Sequence, residues 1–107
     1  GLSIAKDILF TGRRLNAQEA LRVGLVNHVV SAAELAEFVA KYAANMATNA
    51  PLSIVASKRV IDEIVKDKAD RDQALCERVI AECFASQDYI EGRRAFMEKR
   101  KPVFTGR

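Results

Sequence analysis

Apolar residues recur at intervals of three and four along most of the chain, a pattern that predicts helices almost throughout. Leu2 to Phe10 is a short apolar-rich stretch that Thr11-Gly12 stops. Asn16, with Glu19 three residues later, has the form of a capping box and opens a short helix over Ala17–Val23, which Gly24 ends. Leu25-Val26-Asn27-His28-Val29-Val30 is rich in β-branched residues and is the one strand candidate, with little else in the chain to pair with it. Ser31-Ala32-Ala33-Glu34 is a second capping box, and Leu35, Phe38, Val39, Tyr42 and Met46 continue from it on one helix face.

Asn49-Ala50-Pro51 breaks that helix, and Pro51 suits the first turn of the next. Ile54, Val55, Ile61, Ile64 and Val65 form its apolar stripe, with Lys58, Arg59, Asp62 and Glu63 interspersed. Lys66 to Asp72 is a charged break in which Asp70 is the expected cap. Leu75, Val79, Ile80, Cys83 and Phe84 mark the following helix face. Ser86 is placed to cap a terminal helix that Pro102 bars from continuing. Gly92, inside that helix, costs about 1 kcal/mol relative to Ala, so a close helix crossing or backbone approach is expected there. The expectation is a mostly α chain of about five helices with at most one short strand.

Composition sharpens this picture at one place. The formal charge is +3, and the last twenty residues hold six of the 17 Lys and Arg against three of the 14 Asp and Glu. The other 87 residues are neutral, so the entire excess lies on the terminal helix and tail, with Phe96 and Phe104 interleaved. Such a patch points to an anionic partner: nucleic acid, a membrane or a phosphorylated small molecule. The size suits one domain at most, or part of one. A first residue of Gly that opens straight into a helical pattern suggests a piece of something longer, or a processed terminus. No apolar run approaches the roughly 20 residues of a membrane span, and no signal peptide is visible. Cys76 and Cys83 lie two helical turns apart, about 10 Å, too far to bond within one helix, and a reducing intracellular setting is expected.

Little of the rest reads as chemistry. A single histidine, His28, builds no triad or metal site by itself, and a structural role near a turn suits it better. The cysteines lack zinc-ligand spacing, so no metal site is expected. Gly12-Arg13-Arg14 lacks the glycines and lysine of a phosphate loop. Asp62-Glu63 and Asp70-Arg71-Asp72 are expected on solvated faces, away from the apolar pockets that raise a catalytic carboxyl's pKa. At the terminus two readings stand side by side. Phe96 and Met97 could pack the helix down while Lys99, Arg100 and Lys101 complement its negative end. Alternatively Phe96 and Lys99, three apart on one helix face, could present a ring and an ammonium to a phosphorylated aromatic ligand such as a nucleotide.

Three ordered blocks carry a resemblance to a known family. Leu9-Phe10-Thr11-Gly12-Arg13-Arg14-Leu15-Asn16-Ala17-Gln18-Glu19-Ala20 with Gly24-Leu25-Val26-Asn27, Ala50-Pro51 with Lys58, and Phe84 to Asp88 with Glu91 to Phe104 resemble the C-terminal portion of the enoyl-CoA hydratase/isomerase (crotonase) family. The resemblance implies the end of a crotonase-like α/β spiral core over residues 1–30 and a helical oligomerisation (trimerisation) region over 31–107. It implies a C-terminal fragment of an enoyl-CoA hydratase, a lyase that adds water to the 2,3 double bond of enoyl-CoA thioesters in fatty-acid β-oxidation. An enoyl-CoA isomerase, or another CoA-thioester enzyme of the family, is the alternative.

The family's backbone oxyanion hole and catalytic glutamates match nothing here, so no catalytic residue is assigned and the fragment alone is expected to be inactive. No separate cofactor is implied, since coenzyme A is part of the substrate. Phe96 and Lys99 match the family's Phe and Lys that bind the adenosine end of coenzyme A in a neighbouring subunit, which favours the nucleotide reading above. Partners are thus an acyl-CoA thioester and further copies in a trimer or hexamer, with no nucleic acid or membrane. The setting implied is bacterial cytoplasm, or the mitochondrial matrix in a eukaryote. A non-catalytic helical oligomerisation module is the alternative of another class. A nucleic-acid binder is weaker, because three acids interrupt the basic patch and no binding fold is recognisable.

Overall fold

A computed structural model describes residues 1–107 as six α-helices and one 3-10 turn, in two compact units of residues 1–40 and 41–107. No strand forms. Leu25–Val30 is irregular instead: Leu25 N–H folds back onto the carbonyl of Ala20 at 2.8 Å, and nothing extended is available to pair with the rest.

The first unit contains α1 (Leu2–Thr11), α2 (Ala17–Arg22) and the start of α3 (Leu35–Ala47). Gly12, in the left-handed region at φ 61°, closes α1, and its N–H donates to Ile8 O at 3.0 Å. The expected capping box starts α2: Glu19 N–H donates to Asn16 Oδ1 at 2.9 Å and Asn16 N–H to Glu19 Oε2 at 3.1 Å. Arg13 braces this loop through Asp7 at 2.8 Å and Glu19 at 3.6 Å. At the end of α2, Gly24 stands in the left-handed region while Leu25 N–H and Gly24 N–H reach Ala20 O and Leu21 O, a Schellman motif. Ser31 and Glu34 close the second capping box, the Ser31 hydroxyl donating to Glu34 Oε2 at 2.6 Å and holding that carboxyl below its ordinary pKa. His28 is exposed, its ring 5.1 Å from that of Phe38. No residue of this unit is buried, and Leu2, Leu9 and Phe10 lie largely in solvent.

The second unit holds the rest of α3, then α4 (Pro51–Ile64), a 3-10 turn (Lys68–Asp70), α5 (Gln73–Phe84) and α6 (Gln87–Met97). Helix α4 packs along α5, and the buried apolar residues are small: Ala56, Val79 and Ala95. Two expectations need correcting here. Asp70 falls inside the 3-10 turn, and Asp72 caps α5 by accepting from Leu75 N–H at 2.8 Å. Glu63 is not on a solvated face. It is 6 % exposed, takes Lys66 Nζ at 2.7 Å and accepts from Asp72 N–H at 2.8 Å. The lysine ammonium and that backbone donor hold its carboxyl below the ordinary range. Beside it, Arg71 donates to the carbonyls of Ile64 and Lys66, satisfying the end of α4. Glu63 thus welds the α4–α5 connection.

Candidate functional site

Helix α6 begins as its sequence dictates. Ser86 Oγ accepts from Tyr89 N–H at 3.0 Å while its hydroxyl donates to Cys83 O, so one side chain joins α5 to α6. The helix ends at Met97, five residues before Pro102, so the proline is not what stops it. The stop is Lys99, which stands at φ 54° and is the one non-glycine residue in the left-handed region. Lys99 N–H donates to Phe96 O at 3.2 Å and Arg100 N–H to Ala95 O at 3.0 Å. This is a Schellman motif with lysine where glycine is usual. Phe96 and Lys99 therefore do not share a continuous helix face. Phe96 rides the last turn, 81 % exposed, and Lys99 is the exposed bend that follows.

Past the bend, the tail runs back along α6. Arg100 reaches Glu91 with both terminal guanidinium nitrogens, at 2.6 and 3.0 Å, and its Nε reaches Glu98 at 2.6 Å. Glu91 also accepts from Val103 N–H at 3.0 Å. The Arg100 pairing, helped by that backbone donor, pulls the Glu91 carboxyl down to about 2 and raises the arginine further. Phe104 covers Gly92, where an added Cβ would sit 3.5 Å from its ring. No helix crossing or backbone approaches Gly92 as expected; its neighbour is a side chain of the tail at ordinary contact distance. At the far end Asp88, 3 % exposed, accepts from Thr105 N–H at 2.7 Å and Gly106 N–H at 2.8 Å, while its own N–H donates to Arg107 O at 2.9 Å. The basic tail is thus fastened by two carboxylates, with one ring packed between them.

Under this arrangement lies an apolar hollow of about 420 Å³, lined by Leu52, Phe84, Tyr89, Arg93, Phe96 and Phe104 among others. Phe84 and Tyr89 meet edge to face at 5.0 Å, and the Arg93 guanidinium lies 5.8 Å from the Tyr89 ring centre. Cys83 is half-buried at its wall, and both cysteines are free thiols. No three His, Cys, Asp or Glu side chains gather as metal ligands. The acids here are committed to hydrogen bonds with the tail, and none stands beside the hollow as a free acid or base. What the hollow offers is aromatic rings and one guanidinium, that of Arg93.

Sequence reasoning singled out Phe96 and Lys99 as candidates and gave no role to Asp88 or Glu91. Arg100 was expected to complement the negative end of the helix, yet it is forked onto Glu91 and also reaches Glu98. Its separation from Glu91 spans the helix end, so no helical spacing rule exposes it.

Comparison with known proteins adds the family context. The family model for enoyl-CoA hydratase/isomerase matches residues 1–107. Methylmalonyl-CoA decarboxylase of Escherichia coli is 40% identical, covering 99% of this chain and 41% of its own length. Short-chain-enoyl-CoA hydratase of Clostridium acetobutylicum is 37% identical, covering 94% of this chain and 39% of its own. Among solved structures, an enoyl-CoA hydratase from Mycobacterium marinum superposes with a TM-score of 0.86 at 32% identity, over 98% of this chain and 42% of that one. The chain spans about two fifths of the length of these relatives.

Proposed function

The chain belongs to the enoyl-CoA hydratase/isomerase family, and from that premise we propose that it is the C-terminal part of an enoyl-CoA hydratase and supplies a coenzyme A contact rather than the chemistry. Its relatives are named for different reactions, a decarboxylation and a hydration, at nearly equal identity. Both names share CoA. What a C-terminal part common to such enzymes has to serve is recognition of the carrier, with the reaction set elsewhere. Residues 1–30 then close the catalytic core, residues 31–107 pack copies into a trimer or hexamer, and the setting is cytoplasmic, or the mitochondrial matrix in a eukaryote.

The observation that carries this reading is the exposed ring of Phe96 beside the bend at Lys99, joined to it by the Lys99 N–H to Phe96 O bond. Phe96 offers a face to the adenine and Lys99 an ammonium to the 3′-phosphate of a coenzyme A bound in a neighbouring subunit. A charge-assisted hydrogen bond contributes about 1.5–3 kcal/mol at most and less when exposed, which means a several-fold effect. In the complete enzyme, Lys99→Ala raises KM for crotonyl-CoA several-fold and leaves kcat nearly unchanged, because the contact is remote from the reacting carbon. An unchanged KM would remove Lys99 from the site.

A further inference from the structure

Lys99 is flanked by two residues that pair with each other across it, Glu98 and Arg100, at 2.6 Å. Arg100 is in turn forked onto Glu91, nine residues back, and Glu91 also holds Val103 N–H. A lysine in the left-handed region is strained relative to a glycine, and such a residue persists only where its surroundings fix it. The surroundings that fix Lys99 are these two ion pairs and the Schellman bonds to Ala95 and Phe96.

We propose that the Glu91–Arg100 pair is a positioning device for coenzyme A binding: it clamps the bend 98–103 so that Lys99 is presented beside Phe96 in one fixed backbone conformation. This rests on the reading that Lys99 meets the 3′-phosphate, and it adds that two residues which touch no ligand set how well the enzyme distinguishes CoA from dephospho-CoA. Glu91 has little ordinary reason to be so fully engaged at a surface. One carboxylate there takes a bidentate guanidinium and a backbone donor, fixing geometry as well as charge. Without the clamp, the bend relaxes toward conformations that a lysine prefers, and the ammonium is spread over many positions.

The test uses the complete enzyme and two substrates, crotonyl-CoA and crotonyl-dephospho-CoA, which differ only in the 3′-phosphate. Glu91→Ala and Arg100→Ala each reduce the preference for the phosphorylated thioester several-fold through KM, with kcat unchanged, and the double variant loses no more than either single one. Arg100→Lys, which keeps the charge and loses the fork, recovers part of the preference. A merely structural role lowers the melting temperature of these variants and leaves the preference intact; that result, with Lys99→Ala abolishing the preference, overturns the positioning role and spares the CoA reading. A preference intact in Lys99→Ala itself overturns both. If Glu91→Ala does not fold, Glu91→Gln, which still accepts from Val103 N–H, gives the same comparison.

Discussion

Replacing Lys99 by glycine moves stability and binding in opposite directions. Lys99 stands at φ 54° at the position of a Schellman motif where glycine is preferred. The left-handed conformation costs an L-residue about 1–2 kcal/mol through contact between its Cβ and the following carbonyl. Glycine removes that cost and adds back about 0.5–1 kcal/mol of backbone entropy, so Lys99→Gly gains up to about 1.5 kcal/mol. Alanine keeps the Cβ and gains nothing. If the complete protein is as long as its relatives, of which this chain spans about two fifths, 1 kcal/mol shifts Tm by about 2–4 °C. The assay is thermal melting of the complete protein in wild-type, Lys99→Ala and Lys99→Gly forms, with KM for crotonyl-CoA measured on each. Both variants lose the ammonium and raise KM several-fold alike, but only the glycine variant melts higher. A glycine variant no more stable than the alanine one refutes the strain. A glycine variant that keeps the wild-type KM refutes the role of the side chain.

Further outcomes follow from the tail and its anchors. Asp88→Ala leaves the Thr105 and Gly106 N–H groups without their acceptor and destabilises the protein by about 2–3 kcal/mol, read by chemical denaturation, with faster amide exchange at those two residues. Gly92→Ala stabilises α6 by up to about 1 kcal/mol, since its Cβ meets the Phe104 ring at an ordinary contact distance, whereas Gly92→Leu displaces that ring and melts lower. Glu91 titrates near 2 in the folded chain against 4.5 ordinarily, so the stability it adds is complete above about pH 5 and is lost as pH falls from 4.5 toward 2. Acid unfolding of Glu91→Gln should therefore be less steep across that window, as followed by circular dichroism, and identical slopes would show that the carboxylate is not held by its partners.

Local motifs were the most legible part of the chain. Asn16 with Glu19, Ser31 with Glu34, Pro51 and Ser86 each act where their spacing says, because a cap is decided within four residues. The segment Leu25–Val30 misled, since β propensity describes a side chain's fit to a sheet and no second strand is present. Glu63 misled for the opposite reason: its charged neighbours suggested solvent, while the partner that buries it, Asp72 N–H, is supplied by the turn after the helix. At the candidate site, Phe96 and Lys99 were visible by resemblance. The left-handed bend was not, because lysine is no marker for that conformation, and neither was the Glu91–Arg100 fork, which exists only once the tail has doubled back.

That doubling back makes residues 105–107 matter at a distance. Thr105, Gly106 and Arg107 bond to the first turn of α6, while Phe96 and Lys99 lie at its last. Loss of the bonds that Thr105, Gly106 and Arg107 make would strip Asp88 of its partners and let residues 100–104 lift from α6. Phe104 would then lose its seat on Gly92, and Val103 its hold on Glu91. Damage at one end of the helix would thus reach a contact surface at the other without touching a single residue of it.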